Sequence, residues 1–378
     1  MNILNKINFL FKVWLKAKII ALKRRLFILI KKDFYPYPDV PKNVYLSPSD
    51  MHCETFKNLE QRLSIRNNNI AIEDWQQKAR SKLEELIGFN SQLYCDTNLT
   101  KKYIFKKKYN RKRIYIKFDT KRFAPIDLIS KINNSKPKGI MICMQGTNSG
   151  AHLNLGEIRM PADPYKVFNK SDLAIQAADQ DFLAISYERI GYGERQERKL
   201  KKVSLNSSLD ISLHSIIMSS SMIGETASEL VAICKWLKQE KDYDIPIWLI
   251  GYSAAGYAAL ITAAIETKIS GIAIGGCIGR ANKTILKRRH SAFHEIPSML
   301  RWFDQDSIVS LMAPRPTIII SGRNDPIWPY EEAKFVVDIA KDSFIKLESL
   351  DNLNLIMGNQ GHTYYPDLMW SAINKYFK

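Results

Sequence analysis

From Gly139 onward the chain alternates between short runs without charge and longer apolar segments. Gly139-Ile140-Met141-Ile142-Cys143-Met144, Phe182–Ser186, Ile247–Ile250, Gly271–Gly275 and Pro316–Ser321 are the short runs. Runs of this length, rich in β-branched residues and bounded by turn residues, read as strands buried on both faces. Between them Met222–Lys238 and Ala254–Ile265 are long enough for helices, and Tyr365 to Phe377 reads as a closing helix. Alternation of this kind predicts an α/β fold with a mostly parallel sheet covered by helices on both faces. Phe344-Ile345-Lys346-Leu347 reads as a further strand. Upstream, Lys102–Lys107 and Arg113–Phe118 flank Lys108–Lys112 and predict a β-hairpin that leads the sheet. Residues 42–100 read as largely helical, with Ile72 to Ile87 the clearest period. Pro36, Pro38 and Pro41 fall within six residues and exclude helix there, so 33–41 reads as an extended linker. The expected organisation is a helix over 1–32, that linker, a helical extension over 42–100 and a catalytic domain over 101–378.

Composition adds little to the domain but much to its first segment. At 378 residues, 46% apolar and 25% charged, the chain can bury a large core. Its formal charge is +18, and residues 1–32 hold nine basic residues and no acid. Lysines interrupt Phe9, Trp14, Ile20 and Phe27 too often for a membrane span, which needs ~20 mostly apolar residues. No uninterrupted apolar stretch leads to a small-residue cleavage site, so a secretory signal is not expected. A basic amphipathic helix lying on an anionic membrane surface fits the pattern. The competing reading is a helix packed on the body with its lysines along the edge. Nothing resembling a recognition helix, zinc finger or RNA-binding motif accompanies the charge, so nucleic acid is not an expected partner. Cys53, Cys95, Cys143, Cys234 and Cys277 lack paired spacing and read as free thiols. The expected location is the cytoplasm, at the inner face of the membrane.

Candidate chemistry gathers where the predicted strands end. Gly251-Tyr252-Ser253-Ala254-Ala255-Gly256 carries a serine from an apolar strand, through a tight turn, into an alanine-rich helix. A serine hydroxyl is a weak nucleophile, and such a turn lifts it to where a histidine can reach it. Positions two before and two after must be small because the turn is crowded. A bland alternative is a strand-to-helix turn with a capping serine. Further segments weigh against that: Asp325 follows the strand Pro316–Ser321, His362 precedes the last helix, and Gln145-Gly146-Thr147 follows the strand ending at Met144. Other residues read as structural. His152 is a loop histidine, Glu194 and Arg195 suit ion pairing, and Cys277 has no base nearby in sequence. His290 and His294 are four apart, but two histidines are not a metal site and the chemistry needs no metal or cofactor. Asp304 and Asp306 are rival acids that precede the strand ending at Ser321.

The runs Ile296–Asp304, Leu311-Met312-Ala313-Pro314-Arg315-Pro316 and Ser321-Gly322-Arg323-Asn324-Asp325-Pro326 resemble the dienelactone-hydrolase and acetyl-xylan-esterase-like branch of the α/β-hydrolases. Gly191-Tyr192-Gly193-Glu194-Arg195 and Asp74–Arg80 are similar too, and the likeness covers roughly residues 70 to 378. Ala255 stands where this branch usually has glycine, and Gln145 where it usually has histidine. The resemblance implies an α/β-hydrolase fold and a triad in the order Ser253, Asp325, His362. It also implies an oxyanion hole from the N–H groups of Ala254 and Thr147, and cleavage of short-acyl esters such as acetylated carbohydrate. A peptidase or thioesterase with the same triad stays open, as does a degenerate membrane-tethered binding module.

Overall fold

The computed structural model describes residues 41–44, 46–134, 136–201, 203–204, 206, 208–240, 244–288 and 290–377, with isolated positions between 15 and 26. The basic helix expected over 1–32 and the linker over 33–41 lie outside the described residues, those isolated positions and Pro41 aside. Residues 52–378 form one compact unit.

Nine strands among the described residues make one sheet: β1 Asp96–Phe105, β2 Tyr109–Lys117, β3 Phe123–Lys131, β4 Ile140–Met144, β5 Leu183–Tyr187, β6 Ile247–Tyr252, β7 Gly271–Gly275, β8 Thr317–Gly322 and β9 Leu353–Gly358. Their order is β1-β2-β3-β5-β4-β6-β7-β8-β9. The first three strands are antiparallel and join β5 antiparallel, while β5 to β9 run parallel. Within the described residues from 41 onward ten α-helices accompany them: α1 Pro48–Lys57, α2 Ile72–Ile87, α3 Asp163–Phe168, α4 Leu173–Asp179, α5 Leu209–Ile217, α6 Met222–Glu240, α7 Ala254–Ile265, α8 Gln305–Ser310, α9 Tyr330–Lys346 and α10 Pro366–Ile373.

Side chains alternate across each parallel strand and so build two cores. Ile140, Ile142 and Met144 join Leu83 of α2, Leu230 of α6, Leu260 of α7 and Val336 of α9 on one face. Met141 and Cys143 join Ala177 of α4 and Trp370 of α10 on the other. That two-sided burial is why these strands carry no charge. Every residue of α7 is buried, which makes it the central helix of the first face.

Three expectations need correction. Phe344–Leu347 is not a strand but the end of α9, whose buried Ala333, Val336, Val337, Ala340 and Phe344 keep a helical period. Four residues taken alone could not show that period. The last strand is instead β9, which pairs with β8 from Thr317↔Leu353 to Gly322↔Gly358. The hairpin exists, but its turn lies at 106–108 rather than 108–112. Its first strand starts at Asp96, inside the stretch expected to be helical. Strand β3 has no counterpart in the sequence reading, because Pro125 and Asp127 interrupt its apolar pattern. The charge is accommodated across the ladder: Asp127 accepts from Arg111 at 2.5 Å and Arg113 at 3.0 Å.

Candidate active site

Ser253 separates β6 from α7 and has φ 57° and ψ −129°, a conformation that costs a non-glycine residue roughly 1–3 kcal/mol. The surroundings hold it there. Its N–H donates to the Gly275 carbonyl of β7 at 2.8 Å. A Cβ on Gly251 would lie 2.5 Å from the Ala255 backbone carbon, so only glycine fits two residues before the serine. Gly251 approaches the backbone of Ala255 rather than its side chain, which is why alanine is accepted two residues after Ser253. Ser253 Oγ makes no hydrogen bond to a described residue and lines a cleft of about 390 Å³ that His362 also lines.

Asp325 and His362 leave the ends of the neighbouring strands β8 and β9. The two loops are tied together by Arg323 N–H to Gly358 O at 2.8 Å and Asn324 N–H to Gln360 O at 3.1 Å. Asp325 Oδ2 then meets His362 Nδ1 at 2.7 Å. Asp325 Oδ1 accepts from the N–H groups of Ile327 at 2.8 Å and Trp328 at 3.0 Å. The carboxylate is buried and fully engaged, so it fixes the imidazole plane and puts the proton on Nδ1. His362 Nε2 remains for the cleft. The rival acids lie elsewhere: Asp304 caps α8 and accepts from Ala281 N–H, while Asp306 pairs with Arg66.

The loop after β4 presses against the serine turn. A Cβ on Gly146 would lie 2.8 Å from the Tyr252 carbonyl oxygen. Thr147 lines the cleft, and among the described backbone neither its N–H nor that of Ala254 donates a hydrogen bond. The loop is held from beneath by Arg189, whose Nε donates to Gln145 O at 2.9 Å and whose Nη2 donates to Gly146 O at 2.8 Å. This guanidinium is buried between the rings of Tyr192 and Phe293, 4.2 and 4.5 Å from their centroids. A trans peptide sets C=O and N–H on opposite sides, so anchoring the Gly146 carbonyl turns the Thr147 N–H away from Arg189. Its neighbour Glu188 accepts from Ala151 N–H at 3.0 Å, and burial raises this carboxyl to about 7. Adjacent residues at the end of β5 thus hold both ends of the loop.

Gln145, at the position where the resembled branch usually has histidine, is a buried hub. Its Nε2 donates to Asn154 Oδ1 at 2.6 Å and Ser171 O at 2.8 Å, and its Oε1 accepts from Asn148 and Tyr364. The amide does the loop-holding work without a titrating ring. His152 does not line the cleft but is buried against Asp163 at 2.8 Å. Glu194 pairs with Arg113, and Arg195 with Glu229, as ion pairs in the structure around this loop. Cys277 is buried and its thiol pKa pushed up by burial. His290 and His294, the second in a short 3-10 turn, both line the cleft. Among the described residues no cluster of three His, Cys, Asp or Glu could hold a metal. Arg189 and the cleft-facing position of His290 and His294 are what sequence reasoning missed. The one available signal was that Arg189 lies two residues past a strand's carboxyl end, where such sheets bind ligands.

A model of the Abhydrolase family matches residues 43–335. Among solved structures, a putative acetyl xylan esterase from Bacteroides fragilis is 17% identical, with a TM-score of 0.66 over 88% of this chain and 86% of its own. A glucuronoyl esterase from Solibacter usitatus is 12% identical, with a TM-score of 0.57 over 84% of this chain and 97% of its own. A methylesterase is 14% identical, with a TM-score of 0.60 over 87% of this chain and 67% of its own. No curated protein matches the sequence significantly.

Proposed function

The chain belongs to the Abhydrolase family, and on that footing we propose that it is a serine esterase acting on short-acyl esters of carbohydrate. The observation that carries this reading is a positive-φ serine opening into the same cleft as an imidazole backed by a buried aspartate. His362 Nε2 takes the proton from Ser253 Oγ as the oxygen attacks the ester carbonyl. Asp325 holds the imidazole tautomer and stabilises the imidazolium that forms. The N–H groups of Ala254 and Thr147 receive the tetrahedral oxyanion, each such donor contributing typically ~3 kcal/mol to the transition state. Collapse expels the alcohol, which takes the proton from His362. Water, deprotonated by the same imidazole, then releases the acid and regenerates Ser253.

The carbohydrate part of the reading is supported by the activities named for the acetyl xylan and glucuronoyl esterases that share this fold. It is tested by following acetate release from an acetylated methyl glycoside and from 4-nitrophenyl acetate. Turnover of both by the full chain, and of neither by Ser253→Ala, is the expected result. Release by Ser253→Ala at the wild-type rate contradicts it. For residues 1–32 we propose adsorption to an anionic membrane surface, on the strength of nine basic residues interleaved with Trp14, Phe9 and Phe27.

A further inference from the structure

Helix α5, Leu209–Ile217, is amphipathic with its faces reversed. The face packed on the body carries serines. Ser208 Oγ, just before the helix, lies 2.9 Å from Ser291 Oγ. Ser212 Oγ donates to Ala292 O at 3.0 Å, and Ser215 Oγ donates to Glu225 Oε1 at 2.6 Å. Ile211 packs beside them against the core. Leu213, Ile216 and Ile217, spaced three and four apart, share the opposite face and are exposed. Met218 follows them, with Ile217 79% and Met218 76% exposed. An ordinary surface helix turns its apolar stripe to the core and its polar residues to water. Contiguous apolar side chains left outward mark a surface that something covers.

The chain leading into the helix indicates what covers it. Arg198-Lys199-Leu200-Lys201-Lys202 places four basic residues in five. Arg198, Lys199 and Lys201 are exposed, and so are the apolar Leu200 and Val203. The run is fastened to the helix, because the Ser204 N–H donates to Asp210 Oδ2 at 2.6 Å. Glu197, the acid before the run, accepts from the N–H groups of Lys199 at 2.6 Å and Leu200 at 3.2 Å. A second copy of this chain would bring the same basic run against itself. Leu200, Val203, Leu213, Ile216, Ile217 and Met218 are also few beside the roughly 20–30 residues that each side of a specific protein interface buries. A basic cluster joined to an outward apolar helix face suits an anionic bilayer, whose headgroups take the charge and whose acyl boundary takes the apolar side chains.

We propose that the outward face of α5 and the run 198–202 dock on an anionic lipid surface and orient the catalytic domain there, an inference that rests on the adsorption proposed for residues 1–32. One small anchor binds a bilayer only marginally, and stable attachment takes two. Residues 1–32 supply the first and this face the second. The docking segment also contributes Asn206 to the cleft of Ser253, and Ser208 contacts Ser291 of the same cleft. Docking therefore holds that cleft beside the lipid.

The test uses the full chain with vesicles of phosphatidylcholine and phosphatidylglycerol. Hydrogen exchange of the wild type, which needs no substitution, should slow by about threefold or more over 198–218 when vesicles are added. The double variant Ile217→Ser, Met218→Ser should weaken co-sedimentation affinity by about 10- to 100-fold. Its urea midpoint and its turnover of 4-nitrophenyl acetate should stay near wild type, because both side chains face water. Leu350→Ser, at an exposed apolar residue before β9, should leave vesicle affinity unchanged. Sedimentation of the wild type without slowed exchange over 198–218 overturns the α5 face alone, as does a double variant that binds like the wild type. No sedimentation of the wild type overturns the adsorption of residues 1–32 and this face with it. A wild type that dimerises without lipid, beside a double variant that stays monomeric, assigns the face to a second copy and overturns lipid docking.

Discussion

In the proposed mechanism Ser253 and His362 each supply half of one proton transfer, so removing either would leave only the oxyanion donors and binding. Ser253→Ala and His362→Ala should each lower kcat/KM on 4-nitrophenyl acetate by about 10⁴-fold or more without changing the folded fraction. Asp325→Asn should cost less than losing the serine, because the base remains in a poorer orientation. A damaging Asp304→Asn or Asp306→Asn beside a silent Asp325→Asn would contradict the assignment. Arg189 acts one layer back, through the Gly146 carbonyl. Arg189→Met should lower kcat by about 10- to 1,000-fold with KM nearly unchanged, as expected when an oxyanion donor loses its aim. His294 adds a pH signature. Its pKa is held to about 3 by burial against an ordinary 6.5, so the folded state takes up fewer protons than the unfolded chain between those values. Folding stability should therefore fall as pH drops from 6.5 towards 3, by roughly 3–5 kcal/mol from this group. Urea unfolding of His294→Phe should show a shallower acid limb than wild type over that window. The residues that meet across the cleft were legible because their chemistry demands a fixed order along strand ends. Gln145 and Arg189 were not, since their partners are backbone carbonyls and amides that only folding brings near.

Helix α7 carries the serine turn at its N-terminus, and its other end explains the Ala-Pro-Arg-Pro run. Arg315 Nη2 donates to Ala263 O at 2.8 Å, and Nη1 donates to Glu266 O and Ile269 O at 3.1 Å each. Arg80 of α2 reaches Ala264 O at 2.8 Å. Two guanidinium groups thus meet the last carbonyls of a fully buried helix, where positive charge opposes the negative end of its dipole. Burial pulls Arg315 down to about 10, well within its charged range at neutral pH. Arg315→Met should destabilise the fold by about 1–3 kcal/mol in urea titration while kcat of the folded fraction stays near wild type. An unchanged midpoint would mean the carbonyls are equally well served by solvent. At this scale five of the six parallel strands, β4 to β8, were legible in the sequence, because burial on both faces leaves no composition but an uncharged one, and β9 was not. The sequence misled where composition is mixed. In β3 the charges of Asp127 are balanced by arginines on the neighbouring strand, and the end of α9 has an apolar run as short as a strand.

Across the whole molecule the formal charge is +18, and half of that excess, nine residues, lies in the first 32 positions. Each basic residue near an anionic bilayer contributes about 1 kcal/mol to adsorption. Deleting residues 1–32 should abolish co-sedimentation with vesicles containing anionic lipid, and added salt should weaken binding of the full chain. Turnover of a soluble ester should stay nearly unchanged. A truncated protein that aggregates or loses that turnover would instead mean the helix belongs to the core. A serine made nucleophilic by an aspartate-backed imidazole is tested by intact-protein mass after reaction with a fluorophosphonate. One adduct per chain is expected, mapped to Ser253, absent in Ser253→Ala and strongly slowed in His362→Ala. No adduct on the wild-type chain, or an adduct that survives Ser253→Ala, would contradict it.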